Sequence, residues 1–161
     1  MQAMEQLVSE GMVDYIGVSN FSVKDMREAQ GALRHNPIVS NQILYNLRRR
    51  SAERDVIPYC RQHNITVIAY SPLAEGSLVG GQRGGLRQAL GIGRARSVLD
   101  EVAGEVGKTA AQVALNWVAD QPDVVAIPKS NSVERTLANC AASGWRLTAE
   151  QRQALEHAFP V

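Results

Sequence analysis

Four short apolar runs that are rich in β-branched residues limit the fold of this chain more than any other feature. They cover residues 15–19, 38–45, 66–71 and 124–128. Segments such as VIAY and VVAI are apolar at successive positions, which is typical of strands buried on both faces of a parallel sheet. Such a sheet needs helices outside it, so an α/β fold is predicted.

Hydroxyl residues mark where the helices begin. Ser22, Thr109, Ser132 and Thr148 each precede a helical pattern, and a short hydroxyl side chain can accept from an unpaired N–H of the first turn. A glutamine three positions after Thr109 and after Thr148 completes a capping box. Ser51 is predicted to begin the helix SAERDVIPYCRQH, and a shorter helix is predicted for SVLDEVAGEV.

A long insertion separates the third and fourth runs. Residues 74–96 hold seven of the thirteen glycines, four arginines and one acid. A glycine-rich loop at the carboxyl end of a strand is often functional, so its arginines could fold over a ligand, but they could equally be solvated. No domain boundary is visible, and residues 1–161 are predicted to form a single domain with this insertion, which the resemblance described below implies to be a partial one.

The ends of the runs decide between an open doubly wound sheet and a barrel. An open dinucleotide-binding sheet normally shows G-x-G-x-x-G after its first strand, whereas this chain reads GVSNF. The carboxyl-terminal parts of the runs, or the residues just after them, carry polar side chains instead, which is typical of a barrel with its site at the carboxyl ends of the strands. These side chains are Ser19, Asn20, Gln42, Tyr70, Ser71, Lys129 and Ser130.

Five segments in register, IGVSNF, NQ, AYSPL, GKTAAQVALNW and IPKSNSVERTLAN, resemble the aldo-keto reductase family along the whole chain. That family binds an extended NADP(H) on a (β/α)8 barrel. The resemblance implies the C-terminal half of such a TIM barrel, with strands five to eight and outer helices. The chain is therefore expected to be the cofactor-binding half of an NADP-dependent reductase, which reduces carbonyls or aldehydes by hydride transfer.

The resemblance also assigns roles to individual residues. Ser19, Asn20 and Gln42 would hold the nicotinamide carboxamide, and Tyr70 would stack on the nicotinamide ring. The residues that match pyrophosphate contacts are Ser71, Leu73 and Ser77. Those that match contacts to the 2′-phosphate and the adenine are Lys129, Ser130, Arg135 and Asn139.

The phosphate assignment has a physical basis of its own. Lys129 ends a strand and Arg135 lies in the first turn of the next helix, so two cations and helix N–H groups point to an anion site. NADP is therefore favoured over NAD. Taken singly, these residues have simpler interpretations: Ser19 and Asn20 could end a strand, Tyr70 could be a core aromatic, and the two cations could be solvated.

In the resembled family a tyrosine, lysine, aspartate and histidine perform the chemistry, and all four belong to strands one to four. No catalytic residue is therefore predicted in this chain, and a small carbonyl substrate is expected only if the missing half is supplied. The alternative functions are a non-enzymatic NADP(H)-binding or regulatory module, or an inactive remnant. The three histidines show no metal spacing, so no metal site is predicted.

The net charge and the cysteine content limit the binding partners and the cellular compartment that can be expected. A net charge of +1 provides no overall field for nucleic acid or an anionic membrane, and no apolar stretch is long enough to span a bilayer. Cys60 and Cys140 are expected to be reduced, helical and buried in a cytoplasmic protein. Half a barrel leaves two strand edges exposed and its apolar interior face uncovered, so a homodimer through those edges is expected if the chain is stable alone.

Overall fold

The computed structural model describes residues 1–78 and 92–161, and a four-stranded parallel sheet forms its centre. The strands pair in chain order: β1 (Ile16–Ser19), β2 (Ile38–Leu44), β3 (Thr66–Tyr70) and β4 (Val124–Ile127). All four predicted strands are confirmed, each one residue shorter than the apolar run that predicted it. Parallel pairing brings the four carboxyl ends to one edge of the sheet.

Seven α-helices accompany the strands in the described part of the chain. They are α1 (Gln2–Ser9), α2 (Val23–Gly31), α3 (Val56–Gln62), α4 (Ile92–Glu105), α5 (Ala110–Ala119), α6 (Val133–Cys140) and α7 (Ala149–Ala158). The predicted caps of α2, α5, α6 and α7 are confirmed, because in each the hydroxyl accepts from the backbone N–H three residues on. No helix among the described residues is long and apolar enough to cross a membrane.

The helix predicted to begin at Ser51 begins later. Ser51–Glu53 forms a single 3-10 turn, and the carboxylate of Asp55 caps α3 by accepting from the Val56 N–H at 2.7 Å. The 3-10 turn is held by Glu53, which pairs with Arg50 at 2.9 Å. This ion pair and the Asp55 cap outweigh the capping preference of Ser51.

The predicted insertion at residues 74–96 also differs at its ends. Ala74–Gly76 forms a 3-10 turn, and α4 begins at Ile92, so residues 92–96 are helical and the helix predicted from SVLDEVAGEV starts earlier. Residues 79–91, which contain Arg83 and Arg87, lie outside the described residues.

The strands are buried on one face only, as expected for half a barrel, whereas the apolar runs alone predicted burial on both faces. Ile16, Val67 and Val124 are buried on the face that meets the helices, whereas Val125 is 52% exposed and Ile127 is 40% exposed. Burial alternates along β4 because the helices of the described segments leave the second face open. That open face continues through β2 and β3.

The cysteines differ as well. Cys60 is fully buried, as expected, but Cys140 is exposed at the end of α6. Helix α6 has no buried residue, and its apolar Val133 and Leu137 are also exposed. A helix with no packed face cannot bury a small hydrophobic residue, so the prediction for Cys140 is wrong.

Candidate functional site

The register of the sheet brings three of the predicted residues together. Ser19 pairs with Gln42 on the neighbouring strand, and Tyr70 pairs with Leu44 two residues further along β2. Because side chains alternate along a strand, Ser19, Gln42 and Tyr70 all lie on the open face. Ser19 is exposed, and Gln42 and Tyr70 are half-buried. A hydroxyl and an amide therefore lie side by side near the carboxyl edge, with an aromatic ring diagonally adjacent to the amide on the same face.

The exit of β1 has a left-handed residue. Asn20 has φ 58° and donates its N–H to the Gln42 carbonyl at 2.8 Å, where the Ser19 hydroxyl also donates at 3.1 Å. Asparagine tolerates this backbone region better than most residues. These two bonds use the backbone of Gln42 only, and its side-chain amide has no hydrogen-bond partner within residues 1–78 and 92–161. The amide is therefore available to a ligand.

A buried asparagine holds this exit in place. Asn41 is fully buried, its Nδ2 donates to the Phe21 carbonyl at 2.9 Å, and its Oδ1 accepts from the Phe21 N–H at 3.4 Å. The Asn41 side-chain amide thus pairs with both backbone polar groups of Phe21, as a neighbouring strand would, and fixes the position of the turn after Asn20. Sequence analysis did not select Asn41, although a polar residue inside an apolar run was a visible signal.

The exit of β3 is a tight turn that contains three predicted residues. Ser71 has φ 48°, Leu73 packs against the core, and the Ser77 hydroxyl donates to the Ala74 carbonyl at 2.7 Å. Ser71, Leu73 and Ser77 thus lie on one short loop, with the 3-10 turn Ala74–Gly76 between the last two.

Two further residues outside the sequence prediction join the exits of β2 and β3. The Asn46 amide is fully buried, with Nδ2 donating to the Ser71 carbonyl at 2.9 Å and Oδ1 accepting from the Arg48 N–H at 3.0 Å. The Arg48 guanidinium then donates through Nη1 to the Ser77 hydroxyl at 2.8 Å. The run of three arginines after Leu47 was the only sequence signal for this connection.

The exit of β4 carries the predicted cations. Lys129 and Arg135 are both exposed, and neither forms an ion pair with any residue that the structure describes. The Ser130 hydroxyl donates to the Ser132 carbonyl at 2.9 Å and accepts its N–H at 3.1 Å, which places Ser130 at the start of α6. Ser130 and Asn139 line the same cleft of about 630 Å³ beside β4.

Comparisons with known proteins agree on one family. The profile of the Aldo/keto reductase family matches residues 1–159. The methylglyoxal reductase YeaE of Escherichia coli is 36% identical over 99% of this chain and 52% of its own length. This chain therefore spans about half the length of the curated relatives that it matches.

Solved structures show the same relation. A crystal structure of an aldo/keto reductase from Klebsiella pneumoniae in complex with NADP and acetate is 38% identical, with a TM-score of 0.82 over 99% of this chain and 53% of that one. A thermostable aldo-keto reductase in complex with the inhibitor epalrestat gives a TM-score of 0.84 over 98% of this chain and 53% of that chain, at 33% identity. The predicted half-barrel of four parallel strands with outer helices is confirmed.

Proposed function

Because this chain belongs to the aldo/keto reductase family, we propose that it binds NADP(H) along the carboxyl edge of its sheet and forms the cofactor-binding half of a carbonyl or aldehyde reductase. One observation supports the proposal: Ser19 pairs with Gln42, and Tyr70 lies diagonally from Gln42 on the same open face, next to the exits of β3 and β4. The NADP in the structure of the Klebsiella pneumoniae relative supports the choice of cofactor.

The nicotinamide end fits the first group of residues. A carboxamide presents both donors and an acceptor, and the unpaired Gln42 amide with the Ser19 hydroxyl and the Asn20 side chain offers the complementary set. The half-buried Tyr70 ring next to Gln42 can stack on the nicotinamide and select the face that it presents. When bound, the reduced nicotinamide supplies the hydride for a carbonyl carbon.

The phosphate end fits the remaining residues. Ser71, Leu73 and Ser77 lie on one turn at the β3 exit, where they would contact the pyrophosphate. At the β4 exit, an anion would satisfy cations that lack a carboxylate partner among the described residues. The proposed contacts to the 2′-phosphate and the adenine are Lys129, Ser130, Arg135 and Asn139.

We assign no catalytic residue to this chain. A positioned general acid contributes roughly 10² to 10⁴-fold to such reactions, so the chain alone is expected to bind NADPH without reducing aldehydes. Binding without turnover is also what a non-enzymatic NADP(H)-binding module would show, whereas an inactive remnant would not bind. Turnover that appears when the chain is joined to a segment carrying the family's aspartate, tyrosine, lysine and histidine would support the enzyme.

The direct test is calorimetric titration of the protein with NADPH, using Tyr70→Ala as the variant. Tyr15→Ala is the matched control, because Tyr15 is 75% exposed and lies outside the proposed site. We expect binding by the wild type and by Tyr15→Ala, and a clear loss of affinity in Tyr70→Ala. Absence of binding by the wild type, or equal affinity in all three proteins, would refute the proposed cofactor site. Aldehyde reduction that persists after repurification and disappears in Tyr70→Ala would show that the missing-acid argument is wrong.

A further inference from the structure

The loop after β2 holds two arginines with different surroundings. Arg50 is 7% exposed and forms a two-bond pair with the Glu53 carboxylate, with both distances at 2.9 Å. Arg48 is exposed, and its guanidinium contacts a neutral group, the Ser77 hydroxyl. Arg50 is therefore neutralised by Glu53, whereas no carboxylate among the described residues pairs with Arg48.

Hydrogen bonds hold both the backbone and the side chain of Arg48 in place. Its N–H donates to the buried Asn46 side chain, which also binds the Ser71 carbonyl, and its Nη1 binds Ser77. Both ends of the arginine are thus attached to the turn at the β3 exit. Holding the side chain there before a ligand arrives lowers the entropy lost on binding.

The free N–H donors of the Arg48 guanidinium are suited to binding a phosphate. A guanidinium has five N–H donors in a planar fork, and one of them is used in the part of the chain that the structure describes. Glu75 is the one acid in the same turn, and it forms no ion pair with Arg48. A planar cation with free donors pairs well with phosphate oxygens.

We propose that Arg48 is a further phosphate-binding residue, which contacts the cofactor pyrophosphate at the turn formed by Ser71, Leu73 and Ser77. This inference rests on the proposed NADP(H) site. Because NADP and NAD share the pyrophosphate, Arg48 strengthens the binding of both. It differs in this respect from Arg135, whose proposed partner is the 2′-phosphate of NADP alone.

The test compares Arg48→Ala with Arg49→Ala, a matched control that removes an exposed neighbouring arginine whose side chain forms no hydrogen bond or ion pair within residues 1–78 and 92–161. Each protein is titrated with NADPH, NADH and adenosine 2′-monophosphate, which lacks the pyrophosphate. Arg48→Ala should weaken NADPH and NADH by the same factor, roughly 10 to 100-fold, and leave adenosine 2′-monophosphate unchanged. Arg48→Lys should fall between, since it keeps the charge and loses the fork.

Three outcomes would overturn the proposal. If Arg48→Ala binds NADPH as well as Arg49→Ala does, Arg48 does not contact the pyrophosphate, while the proposed NADP(H) site still stands. If Arg48→Ala melts well below Arg49→Ala and weakens all three ligands, Arg48 acts by holding the turn. If the wild type binds neither NADPH nor NADH, both the proposed NADP(H) site and the proposed role of Arg48 are wrong.

Discussion

Replacing Arg50 by methionine is expected to remove one of the main connections between distant parts of this chain. Arg50 pairs with Glu53 through two hydrogen bonds, and its Nη1 donates to the carbonyls of Glu156 at 3.0 Å and Phe159 at 2.8 Å. Its guanidinium also lies 5.2 Å from the centre of the Trp117 ring. These contacts attach the end of α7 to the loop after β2.

The expected cost follows from the charge that remains. Arg50→Met leaves the Glu53 carboxylate, whose side chain is 26% exposed, without its cation. Tyr45 still donates to Glu53 at 2.7 Å, and burial, with the adjacent carboxylate, raises the pKa of Tyr45, so it stays protonated. Breaking a buried pair costs about 3 to 5 kcal/mol. Because Glu53 is partly solvated, we expect about 3 kcal/mol, or a melting temperature lower by roughly 6 to 12 °C.

The assay is urea and thermal unfolding of four proteins. Arg49→Met is the control and should lie within about 0.5 kcal/mol of the wild type. Arg50→Met/Glu53→Gln should recover more than about 1 kcal/mol relative to Arg50→Met, because glutamine removes the unpaired charge and can still accept from Tyr45. Arg50→Met within about 1 kcal/mol of the wild type, or a double variant less stable than the single one, would refute this reasoning.

Four further predictions follow from single observations. Arg135→Ala should weaken NADPH binding far more than NADH binding, by about 1.5 to 3 kcal/mol in titration calorimetry, and equal weakening would separate Arg135 from the 2′-phosphate. Burial raises the pKa of Cys60 to about 11, so a disulfide reagent at pH 8 should label Cys140 alone in the native protein, and rapid labelling of both thiols would contradict that burial. Hydrogen bonds from the backbone N–H groups of residues 34–36, of which that of His35 has the largest effect, hold the pKa of Glu5 below its usual 4.5. This stabilisation is present above pH 4.5 and is lost as the pH falls through the lower pKa of the folded state. Acid should therefore lower the melting temperature of Glu5→Gln less than that of the wild type. Because β1 and β4 each have one partner strand among the described residues, the isolated protein should form an edge-to-edge homodimer or aggregate, and a monodisperse, cooperatively melting monomer in analytical ultracentrifugation would contradict this.

Features that depend on neighbouring residues could be predicted from the sequence. Thr109 and Gln112 are three residues apart, and their capping box forms as predicted because both groups belong to the same turn of helix. The strand assignments also hold to within one residue, since the apolar runs that carry them are visible in the local sequence. The list of polar exit residues came from the same local pattern, together with the family resemblance.

Features that depend on distant residues were decided by the tertiary structure. The bond from Arg48 to Ser77 joins positions 29 residues apart, and the bond from Arg50 to the Glu156 carbonyl joins positions 106 residues apart. The spacing of residues along the sequence does not predict such pairs. The three consecutive arginines at positions 48–50 have nearly the same sequence neighbours, and only tertiary packing decides which of them is buried. The apolar composition of the strands predicts burial on both sides, and the open face was expected only from the resemblance to half a barrel. The reason is that the elements packed around a strand, and not its own residues, determine whether each side is covered.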